Sequence, residues 1–399
     1  MKSILVLLHC QANTGYAIGP LERTFYETAV QLCDGDAGRV HFAYPSMPEG
    51  PSPTLPLHFN QYLIAESTSE DRHHHLSVAA YVREHAIDTV LGFDQPVHLP
   101  LYAALRKAGV KHFVSYWGAA MSSLQPLPVL WIKRLQVALS RHGPDHYVFE
   151  SQGMADCAVL GRGIAPQHVS IVRLGVDTDR YTPTGPKGPS LQQLFSIPSQ
   201  RRVFFYSGHM EPRKGVPVLM AAANMLAAQR STDDWHLLIA GNKQDEHLRW
   251  QALLTQSATE RVTFAGYRND LPALHRHCHA AVIASTGWDS FTLSAIEAQA
   301  SGLPLLVSDL QGLREAVEPD VTGYRFPVGD GVALAARMQQ LLDDLPLRDR
   351  LGQAARLRVL QHFSELAQRR NLLQVMRQVC RVPEPAGMSG HQKFGKTTA

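Results

Sequence analysis

Residues 284–312 read ASTGWDSFTLSAIEAQASGLPLLVSDLQG. The apolar run 280–284 that leads into them has the length and composition of a strand buried on both faces. It ends in a polar turn, where Ser290 and Thr292 are candidate helix starters because a hydroxyl can accept from the free N–H groups of a first turn. The helix runs to about Ala300, where Gly302 and Pro304 stop it, and Leu305–Ser308 is the next strand. Strand, helix, strand is the repeating unit of a parallel α/β sheet. Two acids stand on the polar edge of this unit, Asp289 in the turn and Glu297 in the helix. The helix start between them offers unpaired N–H donors and a partial positive charge, which suits a phosphate.

The chain around this unit has 399 residues, too many for one core, so two domains are expected. Its hydrophobic content of 45% is that of a globular protein, and a net charge of +3 gives no case for a nucleic-acid partner. Five scattered cysteines (10, 33, 157, 278 and 380) form no C-x-x-C pair. The odd count argues against a disulfide framework and for a reducing cytoplasm. Met1–Cys10 is apolar but short and has no small-residue cleavage site, so it reads as a first strand. No segment is long and apolar enough to span a bilayer.

Upstream, Ser3–Leu8 is the first strand, and the loop after it carries Gly15 and Gly19, which permit close approach to a phosphate or sugar. A helical pattern covers Leu21–Leu32, Val40–Tyr44 is a second strand, and Pro45–Pro56 is a Pro-rich loop. Arg72–His75 reads as a solvated loop, because consecutive histidines cannot easily converge on one metal ion. Thr89–Phe93, Phe113–Tyr116 and Tyr147–Glu150 continue the strands, with a helix near Leu99–Ala108. In Ser115–Ser123 (SYWGAAMSS), Tyr116 and Trp117 either stack on a sugar face or cap the core. Pro128–His142 is an amphipathic helix with Leu130, Trp131, Leu135 and Leu139 roughly on one side and Lys133, Arg134 and Arg141 nearby. It either lies on an anionic membrane or packs on its own domain. Thr184–Pro189 is a Gly- and Pro-rich hinge region.

Downstream, Arg202–Ser207 is a strand, followed by GHMEPRKG (208–215) and a helix over Val216–Ala228. His236–Ala240 and Val262–Ala265 are further strands, the second followed by GYRND. The last helices cover Leu334–Leu342 and Leu366–Val379, and Gly387–Ala399 has the small, polar composition of a disordered tail.

Asp289 and Glu297 bracket seven residues, and the EAQASGLPLLVS that follows completes a segment resembling the E-x7-E signature of retaining glycosyltransferases of family 4. Here the first acid is Asp. LGVDTDRYTP (174–183) is similar to that family's N-G-V-D…F-x-P segment, with Leu174 for Asn, and GHMEPRKG is similar to its G-R-L…K-G segment. Thr322–Asp330 (TGYRFPVGD) resembles its T-G-x-L-x-P-x-G-D turn, which implies a structural role. The resemblance is strong over residues 208–330 and topological before Ser170. It implies the GT-B fold, two Rossmann-like α/β domains facing a cleft. Residues 1–182 would form an acceptor domain, completed by a terminal helix at about 364–382, and residues 183–363 a nucleotide-sugar donor domain.

On that resemblance Glu297 holds the donor ribose and Asp289 the hydroxyls of the donor sugar. Lys214, Arg213 (for the Arg replaced by His209) and the helix start at Ser290, Phe291 and Thr292 hold the diphosphate. Gly15 and Gly208 line the cleft, Tyr267 and Arg268 lie against the base, and Trp117 stands where many members carry a sugar-contacting histidine. Fixed cations at the departing diphosphate lower the barrier without a metal, so neither metal nor cofactor is expected. The implied partners are a UDP- or GDP-sugar and a glycan, lipid-linked or small-molecule acceptor in polysaccharide or glycolipid synthesis. The implied place is the cytoplasm or, peripherally, the inner membrane face. A nucleotide-sugar epimerase of the same fold and a non-catalytic nucleotide-sugar-binding subunit are the alternatives.

Overall fold

Ile4–Leu8, five consecutive aliphatic residues all fully buried, form β1. A strand with no polar face must be covered on both sides, which places it at the centre of a parallel sheet. Its neighbours are β2 (Val40–Tyr44), β3 (Tyr62–Ile64), β4 (Thr89–Phe93), β5 (His112–Trp117), β6 (His146–Phe149) and β7 (Val169–Ile171), in the order β3-β2-β1-β4-β5-β6-β7. A second sheet holds β8 (Arg202–Ser207), β9 (Trp235–Ala240), β10 (Val262–Phe264), β11 (Ala280–Ile283), β12 (Leu305–Ser308) and β13 (Gly323–Phe326), in the order β10-β9-β8-β11-β12-β13. Every pairing in both sheets is parallel. This is the α/β architecture of two Rossmann-like sheets. The computed structural model describes residues 2–15, 18–121, 127–186 and 188–382. The tail Gly387–Ala399, read as disordered, lies outside them.

In each sheet the winding reverses once, between β1 and β4 and between β8 and β11. At such a reversal the loops leaving the carboxyl ends of the two adjacent strands diverge and leave a crevice, the usual ligand site of open α/β sheets. The first crevice is bounded by the loops after β1 and β4, the second by the loops after β8 and β11.

The terminal helix Glu365–Val379 packs on the helix Ile18–Leu32 of the first sheet. Gln368, buried there, accepts from the Gly175 amide (3.0 Å) and the Thr24 hydroxyl (3.5 Å) and donates to the Tyr116 hydroxyl (3.2 Å). Arg369 pairs with Glu27, and Lys2 donates to the Cys380 carbonyl at 3.0 Å. The hinge segment is bolted down by two guanidinium groups. Arg356 donates to the Thr178, Tyr181 and Ala300 carbonyls, and Arg276 to those of Arg180, Thr182 and Pro186. Lys187, within the predicted hinge, lies outside the described residues.

The structure departs from the sequence reading in four places. The histidine run is not a loop. It forms the first turn of the helix Arg72–Glu84, capped by Asp71, with His74 accepting from the Glu66 amide and His75 against the Ser69 carbonyl. β3, three residues at the sheet edge after the Pro-rich loop, gives too short a pattern to detect. The TGYRFPVGD segment is an edge strand, β13, before it is a turn. The helix Leu345–His362 interposes a further element between the last two helices that the sequence reading identified. Among the described residues no helix is long and apolar enough to cross a membrane.

Candidate active site

The second crevice is set by close backbone approach. Gly215, which ends the loop after β8, has φ +77°, and a Cβ there would collide with the Ala284 carbonyl oxygen at the end of β11. Only glycine fits both demands. The contact brings Lys214 against Asp289, with Nζ 3.0 Å from both carboxylate oxygens and the two side chains only 15% and 5% exposed. The Ser285 hydroxyl donates to Oδ2 at 2.6 Å, and the Ser290 amide to Oδ1 at 3.1 Å.

These contacts revise two sequence expectations. Asp289 is not on a polar edge offering free oxygens to a sugar. It is buried, and its four acceptor positions are taken by Lys214 twice, Ser285 and Ser290. Nor does Arg213 supply a second cation to the crevice. Its Nε pairs with Glu211 at 2.7 Å and its Nη1 donates to the Trp288 carbonyl at 3.0 Å, and it is not among the residues lining the cleft.

The cleft between the sheets is a cavity of about 760 Å³. It brings together Gly15, Gly208, His209, Lys214, Tyr267, Arg268, Asp289, Ser290, Phe291, Thr292 and Glu297 from the predicted set. Glu297, on the helix Leu293–Ala300, is buried yet reaches this cavity and a second one of about 650 Å³ that shares Gly15 and Leu293 with it. Thr292 is the N-cap by backbone geometry but makes no side-chain cap. Its hydroxyl donates instead to the Ser290 carbonyl at 3.3 Å. Phe291 is fully buried and packs on Phe363 at 4.9 Å, anchoring the helix start. At the far end, Tyr267 is exposed, while Arg268 pairs with Asp270 at 2.5 Å and lies over the Phe195 ring at 5.4 Å.

Tyr116 and Trp117 are not brought to the cleft. Tyr116 is fully buried between Phe25 and Phe93, its hydroxyl engaged by Gln368 and the Val172 carbonyl. Trp117 packs on Val97, Met121 and Tyr147. Neither ring has a face open to a sugar, so their reading as stacking platforms is corrected to that of core residues. Gly118, one residue past the end of β5, is the residue that reaches the cavity wall.

Four acidic or basic residues of the cavity lining went unread. Lys243, after β9, is one of them. His9, Asp94 and Glu150 form the first-sheet wall. His9 and Asp94 follow β1 and β4, so the first crevice brings them together, with Nδ1 3.9 Å from Oδ2. Asp94 adopts φ +50° and accepts from the Gly118 amide at 2.8 Å. Burial pushes its carboxyl up, opposed by His9. Glu150 is pushed well above its ordinary range by burial and then by Asp94, with Ser290 of the opposite wall acting against the shift. The signal that could have found Asp94 is an acid directly after a buried strand adjacent to β1.

Residues 190–358 match the family model described as glycosyl transferases group 1. Phosphatidyl-myo-inositol mannosyltransferase of Mycobacterium leprae is 31% identical over 214 residues, which are 51% of this chain and 54% of that protein. Glycogen synthase of Mycobacterium tuberculosis is 32% identical over 244 residues, 57% of this chain and 55% of its own. The chain thus spans about half the length of the curated relatives it matches. Among solved structures, Anabaena HepE in complex with UDP superposes with a TM-score of 0.75 at 18% identity, over 95% of this chain and all of that one. A glycosyltransferase from Rickettsia africae gives 0.75 at 16% identity, over 96% of this chain and all of its own. These likenesses establish the shared GT-B fold.

Proposed function

We propose, from the match of residues 190–358 to the glycosyl transferases group 1 model, that the chain transfers a sugar from a nucleotide-sugar to a hydroxyl acceptor, with retention at the anomeric carbon. The observation that carries the reading is the half-buried Lys214, held by Asp289 at the β8–β11 crevice and facing a cavity that also contains Glu297. A diphosphate gains negative charge as it departs. A fixed ammonium beside the start of the helix Leu293–Ala300 stabilises that charge without reorganising at the moment of reaction.

In this reading Glu297 accepts from the ribose hydroxyls, and Tyr267, Arg268 and Lys243 border the base. Asp289 acts chiefly by positioning Lys214. The diphosphate oxygen that leaves the sugar takes the acceptor's proton on the same face, so no nucleophilic carboxylate is needed. The chemistry proceeds without a metal. The relatives' names support a glycan or lipid-linked acceptor, and the UDP complex of HepE supports a uridine donor. We place the protein in the cytoplasm.

The test is turnover of a panel of UDP-, GDP- and ADP-sugars, read as release of the nucleoside diphosphate. At least one donor should be hydrolysed by wild type and not by Lys214→Ala. Binding without turnover for every donor would support a non-catalytic nucleotide-sugar subunit instead.

A further inference from the structure

The helix Leu127–Leu139 has no buried residue. Every other described helix of eight residues or more buries at least three. Leu127, Trp131, Leu135 and Leu139 follow one another at four-residue spacing, with Ile132 beside them, and they are 58–74% exposed. At 100° per residue these five, with Pro128 and Ala138, fill an arc of about 140° that contains no polar side chain. The opposite side holds the helix to the protein. There Val137 packs on the cluster around Phe149, and Arg134 donates to the Gly161 carbonyl at 3.0 Å and to that of Leu160. Leu160, itself 70% exposed, adds a further apolar side chain on the segment that Arg134 grips. A contiguous apolar face of this kind marks an interaction site.

Charge selects the occupant. From Gln95 to Pro144 the sequence has no Asp or Glu, while it has Lys107, Lys111, Lys133, Arg134 and Arg141; a sixth cation, Arg106, is paired with Asp145 at 2.8 Å. A second copy docking through the same face would set these cations against themselves. An anionic lipid surface complements them and accepts the apolar arc at once. Trp131, with the Arg134 guanidinium 5.6 Å over its ring, has the apolar body and charged rim that suit the headgroup boundary. We propose that this helix lies in the headgroup plane of an anionic phospholipid bilayer, with Trp131 and Leu135 inserted among the acyl chains. The inference stands apart from the transferase reading. The helix follows β5 and Gly118, which lines the cleft, so docking would hold the cleft at the bilayer.

Flotation of the full chain tests this with phosphatidylcholine vesicles and with vesicles that also contain phosphatidylglycerol. Wild type should float with the anionic vesicles, less so as salt rises, and stay down with phosphatidylcholine alone. Trp131→Ser with Leu135→Ser removes two inserted side chains and should weaken binding at least tenfold. Its melting temperature should not change, since both sites are exposed. Arg141→Gln should weaken binding roughly fivefold. Absent flotation, flotation indifferent to phosphatidylglycerol, or equal flotation of wild type and the double serine variant would overturn the proposal. So would a wild-type dimer in light scattering that the double serine substitution converts to monomer, which would assign the face to self-association. Donor turnover read on the same proteins reports separately on the cleft.

Discussion

Asp289→Asn keeps the shape of the crevice and removes one charge. In wild type the Lys214 ammonium sits 3.0 Å from both carboxylate oxygens, with the two side chains 15% and 5% exposed. At an effective dielectric of about 20 that separation corresponds to roughly 5 kcal/mol of gross attraction. Removing one partner of a buried pair costs about 3–5 kcal/mol, because the other charge stays desolvated. An amide offers one oxygen where the carboxylate offers two, so its NH₂ must face either Lys214 or Ser285, both of them donors to Asp289 in wild type. Lys214 therefore loses its fixed position. Turnover should fall at least tenfold, since about 1.4 kcal/mol of lost transition-state stabilisation suffices for that. UDP affinity, measured by calorimetry, should hold or rise, because the diphosphate now meets an ammonium with no competing carboxylate. Lys214→Met alone should lose both turnover and affinity. In a double-mutant cycle the two changes should be coupled by at least about 1 kcal/mol. Additive effects, or a folded Asp289→Asn protein with wild-type turnover, would refute the positioning role.

Glu297→Ala should abolish donor turnover while circular dichroism stays native, since one or two charge-assisted hydrogen bonds of about 1.5–3 kcal/mol each are at stake; residual turnover near wild type would remove Glu297 from the ribose site. Activity should survive EDTA, and loss of turnover that Mg²⁺ or Mn²⁺ restores would show that Lys214 is not the acting counter-charge. Glu150 has its folded pKa raised by burial and by Asp94, so the native state holds the proton longer than the unfolded chain does. Its stability contribution is complete below the unfolded value of about 4.5 and is lost as pH rises toward the folded pKa, at up to about 1.4 kcal/mol per unit. Urea unfolding of Glu150→Gln between pH 4.5 and 8 should show a flatter decline than wild type, and parallel curves would count against the buried acid.

The parts of the fold legible in the sequence were those whose signal is local. β1 and β11 are short apolar runs between turn residues. Gly208, Lys214, Asp289 and Glu297 sit in loops and helix starts whose spacing repeats a family pattern, and all four line the cavity. What failed was orientation. Tyr116 and Trp117 end a strand at the cleft, but every residue of β5 after the first is buried, so position along the strand did not reveal which groups face the cavity. Arg213 was legible as a cation and illegible as a partner of Glu211, two residues away in a loop whose path the sequence does not dictate.

His9 and Asp94 were missed for a different reason, and it bears on how the site works. They are 85 residues apart and become neighbours only because β4 pairs with β1. The same event in the second sheet, β11 pairing with β8, brings Asp289 to Lys214. Each crevice thus carries one cation-capable group and one acid, contributed by the strands on either side of the reversal. The two crevices face each other across one cavity, which Glu150 lines from the first wall and Ser290 from the second. Ser290 also gives its amide to Asp289, which holds Lys214. The carboxylate that positions the group proposed to neutralise the diphosphate is thus itself held by second-sheet residues, Ser285 and Ser290, and it faces the first wall across the cavity.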